Sequence, residues 1–146
     1  MAIISTLSNH FKYQLLKKAI DVSADTFKVI LVNTTFAFDK DAHATLADVI
    51  GSPSPELATA NGYTQQNKAL SGGTLTEDDT GDKVYRTFDN VTWTASGGAI
   101  GPTGAAIVYD DTTADKTVVG CIDFGTDYTI PDGSSFQLQA IKIENT

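Results

Sequence analysis

Thr26-Phe27-Lys28-Val29-Ile30-Leu31-Val32-Asn33 is the stretch on which the fold turns. In an extended chain, Phe27, Val29 and Leu31 leave one face, and Lys28, Ile30 and Val32 leave the other. Only Lys28, at the start, is charged. β-Branched and aromatic residues dominate, which favours a strand over a helix. A strand that is apolar on both faces needs cover on both, so it belongs in the middle of a sandwich or beneath a helix. No later stretch is as densely apolar.

The chain before this strand offers a cover. Ser8-Asn9 can cap a helix predicted over 8–20. Phe11, Leu15 and Ala19 form one spaced row on it, and Leu16 and Ile20 a neighbouring row. Lys12, Lys17 and Lys18 take the opposite side, and the last two suit the negative end of the helix dipole. Phe11, Leu15 and Leu16 are therefore expected to be buried against one face of the strand. Residues 1–7 read as a short arm with few constraints, and 8–146 as one β-rich domain.

After Asn33 the segments are shorter. Thr34–Ile50 reads as a loop with a helical turn near Thr45–Val49. Gly51-Ser52-Pro53-Ser54-Pro55 is a punctuating turn, and Asn61-Gly62 is a turn dipeptide. Lys68-Ala69-Leu70 and Thr74-Leu75-Thr76 flank Ser71-Gly72-Gly73. Glu77–Asp82 is read as a solvated acidic turn, since its carboxylates lack the alternate spacing of a calcium loop. Lys83–Phe88 and Val91–Ala95 alternate, with Trp93, the only tryptophan, on the side of Val91. Gly97–Gly104 reads as a flexible loop, Ala105–Tyr109 as a short buried strand, Asp110–Lys116 as an exposed hairpin loop, Thr117–Phe124 as the return strand, and Gly125–Asp127 as a turn. Phe136, Leu138 and Ala140 alternate with glutamines, and the apolar set then shifts phase at Ile141, so a bulge is expected near Ala140-Ile141. Turns every 8–12 residues predict a mainly β chain. The expected fold is an antiparallel β-sandwich, jelly-roll-like or an open barrel, with one N-terminal amphipathic helix.

The totals narrow the function. The 146 residues suit one domain with a real core. The net charge of −8 argues against a nucleic-acid binder, which normally carries a basic patch, and against docking on an anionic membrane. No apolar run is long enough to span a bilayer, and Met1-Ala2-Ile3-Ile4 lacks the form of a signal peptide. Cys121 is the only cysteine, so no internal disulfide forms, and its apolar setting makes it a small core residue. Asp39, Asp41 and His43 alternate as metal ligands can, but no second cluster completes the set. His10 is expected at the surface. No nucleophile elbow, phosphate loop or zinc-protease motif occurs. The expectation is no catalytic, cofactor-binding or metal residue, and no enzyme.

The order of the segments resembles a recurrent group of small tailed-bacteriophage virion proteins. The resemblance runs through Thr26–Leu31, Asp39-Lys40-Asp41, Gly62-Tyr63, Lys68-Ala69-Leu70 and Phe88-Asp89-Asn90-Val91-Thr92-Trp93. It continues through Ala106–Tyr109, Ile122-Asp123-Phe124-Gly125 and Phe136-Gln137-Leu138. It implies a structural component of the virion, made in the host cytoplasm. The leading reading is a capsid decoration protein on the shell exterior, with the major capsid protein and copies of itself as partners, and neither nucleic acid nor membrane. A neck or tail component and a receptor- or glycan-binding adhesin module are the alternatives. The arm 1–7 and the loops Gly97–Gly104 and Asp110–Lys116 are the expected contact pieces.

Overall fold

The computed structural model describes residues 3–145. The elements run β1 (Thr6–Leu7), α1 (Asn9–Leu16), β2 (Phe27–Val32), α2 (Leu46–Val49), β3 (Lys68–Ala69), β4 (Leu75–Asp78), β5 (Lys83–Thr87), β6 (Val91–Thr94), β7 (Ile100–Asp110), β8 (Val118–Ile130), β9 (Ser135–Leu138) and β10 (Lys142–Asn145). β2 sits inside a five-stranded antiparallel sheet of order β1-β8-β7-β2-β3. Val29 faces Val108 and Leu31 faces Ala106 across the β2–β7 ladder.

Both faces of β2 are covered, as its two apolar rows require. Phe27, Val29 and Leu31 join a core with Phe11 of α1, Trp93 of β6, Leu138 of β9 and Ile143 of β10. Ile30 and Val32 join a second core with Ile107, Val118, and Leu46 and Val49 of α2. Burying these five β2 side chains contributes on the order of 10 kcal/mol. An ion pair with Asp111 at 3.1 Å offsets the partial desolvation of the Lys28 ammonium. The first core is closed from the far side by two smaller antiparallel sheets, β10-β5-β4 and β6-β9. The result is a β-sandwich-like fold, and the sheets do not close into a barrel.

Several expectations need correction. The helix stops at Leu16 rather than residue 20. Lys18 takes a left-handed φ of 64°, its N–H donates to the Leu15 carbonyl, and the Ala19 N–H donates to the Gln14 carbonyl. That pair of bonds is a Schellman stop. On the shortened helix Phe11 and Gln14 are buried, Leu15 is half-buried, and Leu16 is 89% exposed. Residues 3–7 are no free arm: Thr6 pairs with Cys121, Ile3 bridges Lys142, and Ile4 is buried. Met1 and Ala2 lie outside the described residues. Gly120 makes this approach possible, since a Cβ there would stand 2.2 Å from the Thr6 carbonyl oxygen.

Gly97–Gly104 is also ordered. β7 begins at Ile100, Thr103 is fully buried, and its hydroxyl donates to the Val32 carbonyl at 2.7 Å. The Asp110–Lys116 loop is stapled down: Asp111 pairs with Lys28 and Lys116, and the Thr112 hydroxyl accepts from the Thr26 N–H at 2.8 Å. Gly125–Asp127 continues β8 instead of turning. Glu77 and Asp78 belong to β4, so the acidic turn is shorter than expected. The phase shift at Ala140-Ile141 is a change of sheet, not a bulge in one strand. β9 pairs with β6, Ala140 takes a φ of 53°, and β10 then pairs with β5. The helical turn over 46–49 is present, with a Thr45–Asp48 capping box. Asn61-Gly62, both at positive φ, closes a two-residue hairpin between Ala60 and Tyr63.

Candidate functional site

The groups singled out in the sequence are occupied with local structure. The Asp39 carboxylate accepts from the Asp41 N–H at 2.8 Å and the Ala42 N–H at 3.2 Å, which holds its pKa below the usual value. His43 Nδ1 accepts from the Asp39 N–H at 2.9 Å, and its ring packs on Phe36 and Phe38. Asp41 bonds the Asn9 side chain. The three residues close a loop and anchor it to the start of α1. Among the described residues no three His, Cys, Asp or Glu side chains converge as metal ligands would. His10 is not a free surface residue: its Nε2 lies 2.8 Å from the Asp115 carboxylate. Cys121 is buried, and desolvation pushes its thiol up to about 12, so it stays protonated and a poor nucleophile.

Two buried carboxylates carry no sequence signal. Glu56 accepts from the Tyr63 hydroxyl at 2.9 Å and from the Gln66 N–H at 2.8 Å, while Tyr63 itself accepts from the Leu31 N–H at 3.0 Å. Burial and the Glu56 charge push the Tyr63 phenol far above its ordinary pKa. This chain of bonds fastens the 56–66 segment to β2. Asp110 is fully buried at the end of β7 and faces Asp25.

What stands out at the surface is an apolar groove between α1 and the sheet β10-β5-β4. Cross-strand register places Leu75, Arg86 and Ile143 in one row and Val84 and Asn145 in the next, on the sheet face turned to α1. The other face carries Tyr85 and the Lys83–Glu144–Lys142 ion pairs, so the apolar side of this sheet is the inner one. Phe11, Leu15 and Leu16 form the opposite wall. Between these walls lies a groove of about 490 Å³. Its floor is buried, but Leu16, Leu75 (47%) and Val84 (41%) stand exposed at the mouth. Arg86 is committed elsewhere, donating to the carbonyls of Val22 and Gly72 and lying over the Phe88 ring. Lys12 lines the groove, and Lys17 and Lys18 follow the last residue of the same helix. Among the described residues none of these three lysines has a carboxylate partner, whereas Lys28, Lys83, Lys116 and Lys142 all do.

No helix of the described chain is long and apolar enough to cross a membrane. No protein-family model, curated protein or solved structure matches the chain.

Proposed function

We propose that this chain is a structural component of a tailed-bacteriophage virion, a decoration protein that docks on the outside of the shell. One observation carries the docking part of the reading: three of the largest exposed apolar side chains meet in one groove that is also lined by Lys12, which has no carboxylate partner among the described residues. Solvent-exposed apolar patches rimmed by polar groups mark interaction sites. The order of segments Thr26–Leu31, Phe88–Trp93 and Ile122–Gly125 supports the virion setting. The occupant that fits is an apolar segment of the major capsid protein with an acidic side chain to meet Lys12.

Magnitudes decide how such a contact works. Covering Leu16, Leu75 and Val84 releases about 5 kcal/mol. That barely offsets the roughly 4–15 kcal/mol that association costs. A single copy therefore holds weakly. A lattice of copies, each bridging neighbouring subunits, adds its contacts through effective concentration. Shells stripped of the protein should release DNA at a lower temperature than intact ones. Leu16→Asp and Val84→Asp, both at exposed positions, should abolish rebinding to stripped shells, with an unchanged melting temperature verifying the fold of each. Equal release temperatures, or a few copies confined to the portal vertex, would replace decoration with the neck or tail reading.

A further inference from the structure

A second surface differs in chemistry from the groove. In the cleft between the outer half of β8 and β9, Phe124, Tyr128 and Phe136 place three rings with centroids 5.4–6.0 Å apart. Tyr128 is 42% exposed, and the other two are half-buried over Ile122 and Leu138. Asp123, Gln137 and Gln139 complete the lining of a space of about 270 Å³. The Gln139 amide donates to Gln137 Oε1 at 2.6 Å, and the Gln137 amide donates to the Thr92 hydroxyl at 2.9 Å. Asp123 uses one oxygen to accept from the Gly125 N–H at 2.8 Å. Strand alternation sends Gln137 and Asp123 off the faces that carry Phe136 and Phe124, so Gln139 Oε1 and Asp123 Oδ2 are exposed acceptors at the rim of the cleft, without a donor among the described residues.

We propose that this cleft binds a sugar ring of a neutral glycan. The rings offer electron-rich faces to the C–H groups of a pyranose, and the free oxygens accept from its hydroxyls. The volume lies just under the usual range of small-ligand sites, which suits a single ring. Flat aromatic ligands are disfavoured, because the three rings are inclined at 46–67° and form no parallel slot. Anionic ligands are disfavoured too, because a carboxylate lines the cleft and no cation does. A polypeptide partner would be expected to meet exposed aliphatic side chains, and those lie at the α1 groove instead. The site is independent of shell docking and adds recognition to it.

The probe is built in. Trp93, the only tryptophan, has its ring 6.3 Å from Phe136. The intact protein is titrated with galactose, N-acetylglucosamine, maltose and the anionic glucuronate, read by Trp93 emission and by NMR shifts. The expected result is saturable millimolar binding of at least one neutral sugar, with shifts centred on Tyr128, Phe136 and Gln139. Tyr128→Ala and Gln139→Ala should each weaken it roughly five- to tenfold, and Tyr128→Phe should keep it. Both sites are at the surface, and unchanged melting temperatures verify the fold. Leu16→Asp, which tests shell docking, should leave sugar binding intact. The proposal is overturned if no neutral sugar perturbs these residues, if binding survives Tyr128→Ala and Gln139→Ala unweakened, or if glucuronate binds tighter than the neutral sugars.

Discussion

A carboxyl group buried at the root of a hairpin must find a donor, and Asp110 finds only half of what it needs. One oxygen accepts from the N–H groups of Thr112 at 2.8 Å and Thr113 at 3.3 Å. The other has no donor, and the group facing it is the Asp25 carboxyl. Lys28 and Lys116, the nearby cations, are taken by Asp111. Burial first, and Asp25 second, push Asp110 up to about 7, so the folded chain keeps a proton that the unfolded chain has lost. The sign follows from linkage: a raised folded pKa gives stability that is complete below the ordinary carboxylate range and is lost as pH rises through about 7. The opposing carboxylates, Asp111 and Asp115 among them, have lowered values and act only in more acid solution. Melting temperature should therefore fall between pH 5 and pH 8, by an amount worth on the order of a few kcal/mol. Asp110→Asn keeps the acceptor and supplies the missing donor, so it should flatten that slope and be the more stable protein at pH 8. A slope unchanged in the variant would show that another group titrates.

At the scale of elements, α1 separates anchoring from exposure within two turns. Phe11 is fully buried and Leu16 is not, although both belong to the apolar stripe of the sequence. Phe11→Ala should cost about 3–5 kcal/mol, whereas Leu16→Ala should stay within about 0.5 kcal/mol. Thermal or urea unfolding of the two variants checks the pair, and equal losses would contradict the packing. The difference also marks what the sequence could tell. β2, the alternating β5 and β6, and the helical turn of α2 were legible because their signals are local: period and propensity. The stop of α1 was not, because no glycine announces the left-handed turn at Lys18. The buried Thr103 was hidden among glycines that read as a flexible loop. The β9–β10 change of sheet was visible as a phase shift, but pairing partners are tertiary information. Glu56 looked like any surface acid. The groove was illegible for the same reason: its walls come from residues 11–16, 75–86 and 143–145, which only the fold brings together.

Across the whole molecule, charge is segregated. The chain carries −8, and its first twenty residues hold three lysines and no acid, so the remainder carries −11. At long range, copies repel one another and an acidic partner as well. At the groove Lys12 stands without a carboxylate partner among the described residues, in the same lining as the exposed Leu16, Leu75 and Val84. These two features act on different steps of docking. Charges at a rim steer the encounter and set the salt dependence of association, while apolar burial governs how long the complex lasts. Screening over about 8 Å at physiological ionic strength covers the exposed lysines but not a dehydrated contact. Replacing Lys12, Lys17 and Lys18 with glutamine should therefore slow rebinding to stripped shells and remove most of its salt dependence, with dissociation little changed. Leu16→Asp should do the reverse, shortening the lifetime of the complex at every salt concentration. Surface-plasmon measurements on immobilised shells separate the two rates. If the triple glutamine variant associates as fast as the parent at low salt, the lysines play no part in docking, and the partner's surface is not acidic.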